Sequence, residues 1–465
     1  MAPDSPRIAA DCLYSGGDIL TSDAQRPLLK GGALAVRDGE IVAIGPAAEV
    51  RARIEAPAET FDFSELTLMP GLIDGHTHLF QSLGKTLGDG LTLLPWLETF
   101  MLPLAATLTR EDAVAAIRLA ALHSLLSGST TLIDNHYAPV DEETILALAD
   151  AMEEVGVRGA VARGIFGRMG EGAERMKCDP RLFRYTAAEE IEITRNCIAA
   201  RPKGSRIEVW PMPENIVYVE PELIVACQEL AVENDIGWQG HCSESPFEVE
   251  IFEAIHGVRP AIWMDRAGIL TDHASFAHGI WFDEAEIAAL GAGRATIVHN
   301  PICNQYLASG IIKLAPLLEA GANIALGTDG TAVGGQNMFE SMKAALLLQR
   351  IREYDSAATT AEMMLSLATE NGGSLLRQDV GRLKVGAKAD FVMLDTSGLH
   401  HQPASRPLTG IVMSTQRHDV RHVVVDGDMV VRDGRAMRVD EEKIIADAQQ
   451  ATKELIARAD IGKLL

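Results

Sequence analysis

Eight apolar runs of strand length recur through the middle of this chain with helical patterns between them, and few folds accommodate that alternation. The runs are Leu66 to Met69, Thr130 to Ile133, Gly159 to Ala162, Ile207 to Trp210, Ile236 to Gly240, Ala274 to Ala277, Thr296 to Val298 and Asn323 to Leu326. Glu111 to Leu126, stopping at Gly128, and Glu142 to Glu154, stopping at Gly156, are two of the helical patterns. Strands alternating with helices predict an α/β protein with a parallel sheet, and eight such units predict a (β/α)8 TIM barrel. An open doubly wound sheet is the alternative, but no glycine-rich phosphate fingerprint opens any of the helices.

The two ends read differently. Ala33 to Arg37, the pair Asp38-Gly39, and Ile41 to Ile44 form a hairpin pattern, because Asp-Gly accepts the positive φ of tight turns. Val423 to Val425, Asp426-Gly427 and Met429 to Val431 repeat it, closed by Asp433-Gly434. Each β-rich end is short, which favours their pairing with each other over two separate domains. Residues after Asp440 carry the pattern of a polar terminal helix.

Apolar residues make up 47% of the 465 and charged residues 23%, enough for a sizeable buried core. Lys plus Arg is 41 against 65 for Asp plus Glu, a net charge of -24 that repels phosphate backbones and excludes nucleic acid as the expected partner. The same charge keeps a protein soluble. Six cysteines (Cys12, Cys178, Cys197, Cys227, Cys242, Cys303) are scattered with no C-x-x-C pair, the pattern of reduced, buried thiols. No basic segment followed by an apolar run opens the chain, and every apolar stretch is interrupted well before bilayer length. The expectation is a cytoplasmic protein with no membrane partner.

The chemistry-bearing residues fall at one end of the predicted strands. The first strand runs into Gly75-His76-Thr77-His78, and residues two apart on a strand point the same way. His241 follows the fifth strand, His278 ends the sixth, and Asp329 follows the eighth. In barrel enzymes the carboxyl ends of the strands carry the active site. Neutral imidazoles with a carboxylate suit zinc or iron(II), and a catalytic metal needs a bound water and a base to take its proton. Glu244, three residues after His241, is in reach of that task.

Met69-Pro70-Gly71-Leu72-Ile73-Asp74-Gly75-His76-Thr77-His78 resembles the opening motif of the amidohydrolase superfamily, and Gly381 to Phe391 resembles the same family's return into its β-sandwich. His241-x-x-Glu244, Ala277-His278-Gly279, Val298-His299-Asn300-Pro301 and Leu307-Ala308-Ser309-Gly310-Ile311 are similar to the branch holding guanine, cytosine and S-adenosylhomocysteine deaminases and the triazine hydrolases. The resemblance covers nearly the whole chain. It implies a small β-sandwich built from both termini (residues 1–66 and 379–438), a metal-dependent barrel over 67–378, and a terminal helix over 439–465. It makes His76, His78, His241 and Asp329 the metal ligands. His278 would hydrogen-bond the metal water or the developing oxyanion, Glu244 would shuttle the proton, and Asp329 would share that relay. Binuclear relatives need a carboxylated lysine ending the fourth strand, and Arg206 to Met212 contains none. One divalent metal per chain, Zn2+ or else Fe2+, is therefore expected.

Candidates for substrate contact follow. Gln81 stands where guanine deaminases place a base-contacting glutamine, and Trp96 matches a position near the pocket; a loop amide and a packing indole are the plain alternatives. Asn304 either orders the loop after the seventh strand or touches substrate. His136, after the second strand, could reach the pocket mouth, and Arg163, after the third, could hold a substrate carbonyl or carboxylate. Glu214 stands where many relatives carry His or Arg, and an anionic Glu214 would suit a donor-rich or cationic ring and oppose a carboxylate or phosphate. His123 falls in a helix pattern, and His400, His401, His418 and His422 read as surface or packing histidines.

The resemblance implies a hydrolytic deaminase that attacks a ring carbon of an amino-substituted N-heterocycle (purine, pterin, pyrimidine or triazine), in a homodimer or larger assembly. The same site serves triazine dechlorination, dealkylamination or cyclic amide opening, and the motifs do not separate these. A non-catalytic scaffold on this fold would have lost ligands, and here the set is complete.

Overall fold

The computed structural model describes residues 7–21 and 27–462. Asp38-Gly39, Asp426-Gly427 and Asp433-Gly434 all turn at positive φ, between 49° and 81°, the conformation their hairpins need. They link strands of two terminal sheets. One has four strands, Glu40–Pro46, Gly32–Arg37, Cys12–Ser15 and Glu59–Asp62 in that order. The other has seven strands and joins the ends of the chain, Phe391–Leu394 pairing antiparallel with Thr67–Pro70. Tyr14, Leu34 and Val36 of the first sheet pack with Phe391, Met393 and Val424 of the second in one apolar cluster.

Eight parallel strands occupy the middle. They are β1 (Leu72–His78), β2 (Ser129–His136), β3 (Arg158–Ile165), β4 (Ile207–Pro213), β5 (Trp238–Cys242), β6 (Ala274–His278), β7 (Thr296–His299) and β8 (Asn323–Leu326). Neighbours in sequence are neighbours in space: β1 to β4 form one run and β5 to β8 another. A parallel bridge between Asn215 and His241 joins β4 to β5. Asp329–Gly330, directly after β8, pairs with Thr77 and His78 of β1. The order reversal of a doubly wound sheet is not found among the described strands. The strands are buried almost throughout, as expected when helices cover them.

The first apolar run was expected to open this series, and it does not. Thr67–Pro70 belongs to the seven-stranded sheet, and the chain changes sheets at Gly71. A Cβ on Gly71 would stand 2.1 Å from Thr130 Oγ1, so only glycine lets the backbone pass β2 there.

Helices start and stop where the sequence marks them. Arg110–Leu126 opens on a reciprocal cap between Thr109 and Asp112, and Glu142–Val155 opens on Asp141 and ends at Gly156, φ 106°. The terminal helix is Glu441–Ala459, tied to the first of these by the ion pair of Arg458 with Asp112. Among the described residues no helix is long and apolar enough to cross a membrane.

Candidate metal centre and active site

His76 and His78 leave β1 on one side, their ring centroids 4.8 Å apart, and His241 from β5 comes within 5.0 Å and 5.1 Å of them. Each ring is held through Nδ1. His76 Nδ1 donates to Gln239 Oε1 at 2.7 Å, His78 Nδ1 to the Asn135 carbonyl at 2.6 Å, and His241 Nδ1 to the Glu214 carbonyl. With the proton on Nδ1, every Nε2 turns a lone pair toward the centre. His78 Nε2 and His241 Nε2 stand 3.0 Å apart, and Asp329 Oδ1 is 3.3 Å from His76 Nε2 and 3.4 Å from His78 Nε2.

These residues fit a metal ion. His76 Nε2 and Asp329 Oδ2 are buried and have no hydrogen-bond partner, and two imidazole nitrogens in mutual contact need a cation between them. Burial, reinforced by His76, pushes His78 down to about 3, and burial with the neighbouring rings holds His241 well below its ordinary value. Both rings are therefore neutral, the form in which imidazole ligates. Asp329 is drawn well below the carboxylate range: burial opposes ionisation, but His278, His76 and His78 outweigh it.

Backbone strain aims the last two groups. His278 and Asp329 have φ of 76° and 66°, left-handed conformations uncommon for either residue. The Asp74 carboxylate accepts both the N–H of Thr328, at 2.9 Å, and its hydroxyl, at 2.5 Å, while Thr77 Oγ1 donates to the Asp329 carbonyl at 3.1 Å. Gln239, Asn135, Asp74 and Thr328 thus orient the cluster, and the sequence reading missed all four. Asp74 and Thr328 lie within the same short motifs as His76 and Asp329. Gln239, which donates to the Gly75 carbonyl and accepts from Asn135 Nδ2, stands two residues before His241 on the same face.

Beside the cluster lie Glu244 and His278. Glu244 Oε1 accepts from the Ser309 hydroxyl at 2.9 Å, and Glu244 Oε2 is 3.5 Å from His278 Nε2. Burial pushes Glu244 up to about 7, with His278 partly offsetting it. His278 is raised, because Glu244 and Asp329 outweigh its desolvation. Asn304 Oδ1 accepts from His278 Nδ1 at 2.9 Å, which turns His278 Nε2 toward Glu244 and Asp329.

A cavity opens over these groups, and Gln81, Trp96 and Glu214 line it together with Tyr137, Tyr218 and an apolar wall of Leu93, Leu97, Leu102, Met176 and Leu307. Gln81 Nε2 donates to the Tyr137 hydroxyl at 3.3 Å while its Oε1 has no partner. Burial, then Glu248 and Glu244, pushes Glu214 up to about 8. Among the described residues the lining contains no Lys or Arg. Cys303 also lines the cavity, and burial raises its thiol well above the ordinary value, so it stays protonated and packs.

Three expected substrate contacts are placed elsewhere. His136 and Arg163 sit opposite each other in the ladder of β2 and β3 and share the outer face. His136 Nε2 bonds the Pro139 carbonyl at 3.0 Å and its ring packs on Phe80; Asn135, one residue before, takes the inward position. Arg163 is fully buried against helix Ala187–Ala200, pairing with Glu190 at 2.8 Å and Thr194 at 2.9 Å. Asn304 does not line the cavity; it holds His278 instead.

Imidazoles and a carboxylate gathered at the carboxyl ends of parallel strands define the class: hydrolases that work with a bound metal. The amidohydrolase family pattern matches residues 67–430, and the chain belongs to the amidohydrolase family. A 5-methylthioadenosine/S-adenosylhomocysteine deaminase of Desulforudis audaxviator (strain MP104C) is 33% identical over 428 residues, 91% of this chain and 95% of that one. A 5′-deoxyadenosine deaminase of Methanosarcina mazei is 31% identical over 454 residues, 97% of this chain and all of the other. The crystal structure of an adenosine deaminase from Xanthomonas campestris with bound zinc superposes with a TM-score of 0.86 at 28% identity, covering 97% of this chain and 100% of that one.

Proposed function

We propose that this chain is a metal-dependent deaminase of adenine-containing nucleosides, built on a closed (β/α)8 barrel beside a terminal β-sandwich. The seams at Asn215–His241 and at Asp329–Gly330 support closure, and the shared seven-stranded sheet supports one sandwich from both ends. The observation that carries the functional reading is the convergence of three Nε2 atoms and Asp329 beside Glu244 and His278.

His76, His78, His241 and Asp329 would hold one divalent ion, Zn2+ by the donor set and the relatives, with Fe2+ the alternative. When bound, such an ion polarises a water and lowers its pKa toward neutrality. The remaining work falls to the protein. Glu244 takes one proton from the attacking water and delivers it to the ring nitrogen next to the reacting carbon. His278, its ring set by Asn304, donates from Nε2 to the oxygen as charge develops there. The second proton reaches the amino group as the C–N bond breaks, so water is consumed, ammonia leaves and a ring carbonyl remains. The catalytic centre is read as mononuclear because β4 offers no lysine.

A lining without Lys or Arg among the described residues, an apolar wall and a Glu214 carboxyl held largely protonated by burial favour an uncharged 5′ substituent. The order expected is 5′-deoxyadenosine and methylthioadenosine ahead of S-adenosylhomocysteine, with adenosine monophosphate last. Ammonia release across this panel tests it. Ammonia from none of the nucleosides, with chloride released from a chlorotriazine, would replace the deaminase reading with dechlorination.

A further inference from the structure

Outside the catalytic centre, imidazoles converge on a second buried carboxylate. His400 Nε2 lies 2.8 Å and His401 Nε2 3.2 Å from Asp419 Oδ2, and His418 Nε2 lies 3.4 Å from Asp419 Oδ1. Asp419 Oδ2 also accepts the Gln416 N–H at 2.8 Å. The Asp419 side chain is 4% exposed and that of His401 3%, whereas His400 and His418 are 28% and 68% exposed. Two adjacent histidines from the turn Leu399–His401 thus meet a His-Asp pair from the turn Arg417–Asp419.

We propose that His400, His401 and Asp419, with His418 as the fourth donor, form a second transition-metal site distinct from the catalytic one. Ligand atoms about 2.1 Å from a zinc-like ion stand about 3.4 Å apart in a tetrahedron, close to the 2.8, 3.2 and 3.4 Å separations of the three imidazoles from Asp419. Two or three imidazoles with one carboxylate select borderline ions such as Zn2+, Co2+ or Ni2+ over Mg2+ or Ca2+. Both rings now directed at Asp419 Oδ2 bind as neutral imidazoles once the proton moves to Nδ1.

The site would be structural. It clamps the two ends of the excursion from strand Phe391–Leu394 to strand Val420–Val425, which carries helix Pro407–Ser414 at its middle. His400 and His418 also border a cavity shared with Gly334, Gly335 and Asn337, on the segment leading away from Asp329. An ion can enter from that side.

The test uses the untagged full chain, stripped with a chelator, dialysed and titrated with Co2+ while bound cobalt and visible absorption are followed. Wild type is expected to take up two equivalents, the second raising the melting temperature. His400→Ala/His418→Ala should take up one and keep full cobalt-supported activity, which also shows that it folds. His241→Ala should keep the other equivalent and lose activity. Wild type saturating at one equivalent in millimolar cobalt, or the double variant still binding two, would overturn the second site without touching the first.

Discussion

At the scale of single residues the centre is organised by what each imidazole does with its outward nitrogen. A carbonyl or amide oxygen at Nδ1 fixes the tautomer of His76, His78 and His241, and Asn304 does the same for His278. Glu244 differs in kind, since its partners, Ser309 and His278, leave it free to exchange a proton in a buried setting. Glu244→Gln should therefore keep the catalytic metal and lower kcat by about 100- to 10,000-fold. Metal content and steady-state rates measured on one preparation check it, and a fully active variant would remove Glu244 from its role. Asn304→Ala should cost about 10- to 100-fold in kcat with little change in KM, because it frees His278 to turn without touching the cavity wall.

Secondary-structure elements decide which residues ever see the substrate. Strand alternation sends Asn135 inward and His136 outward on β2, and the ladder gives Arg163 of β3 the same outward face as His136. Arg163 then packs between its strand and helix Ala187–Ala200, where Glu190 neutralises it. Removing one partner of a buried pair leaves the other charge uncompensated, at a cost of about 3–5 kcal/mol. Arg163→Leu should lower the denaturation midpoint accordingly while the folded fraction keeps its kcat/KM. A selective rise in KM with stability intact would instead return Arg163 to the substrate.

Over the whole molecule, Val392, Leu394, Val423 and Val425 of the seven-stranded sheet share one apolar core with the parallel strands, and a buried cation ties the two further. Arg158, at the start of β3, bonds Asp390 at 2.6 Å and Asp426 at 2.7 Å, and Asp390 also accepts the Asp426 N–H. Gly71, whose N–H donates to the Asp390 carbonyl, crosses between the two layers nearby. Arg158→Met should destabilise by about 3–5 kcal/mol, because it leaves the buried Asp390 carboxylate without its partner. A wild-type midpoint in calorimetry would count against this coupling.

Local patterns make much of this protein legible in its amino-acid sequence. Hairpins at Asp-Gly pairs, helices bounded by caps and glycines, and the strand-helix alternation all depend on residues within a turn or two of each other. The residues that converge in the centre were legible because they sit in short motifs at strand ends. Sequence could not say which sheet would take Thr67–Pro70, whether His136 and Arg163 face in or out, or that Asn304 serves His278. Those outcomes rest on contacts between distant segments, such as Gln239 with His76, 163 positions away, and His401 with Asp419 across the helix between them. A period of two is written in the sequence of a strand, but its phase relative to the core is set only when neighbouring strands and helices close around it.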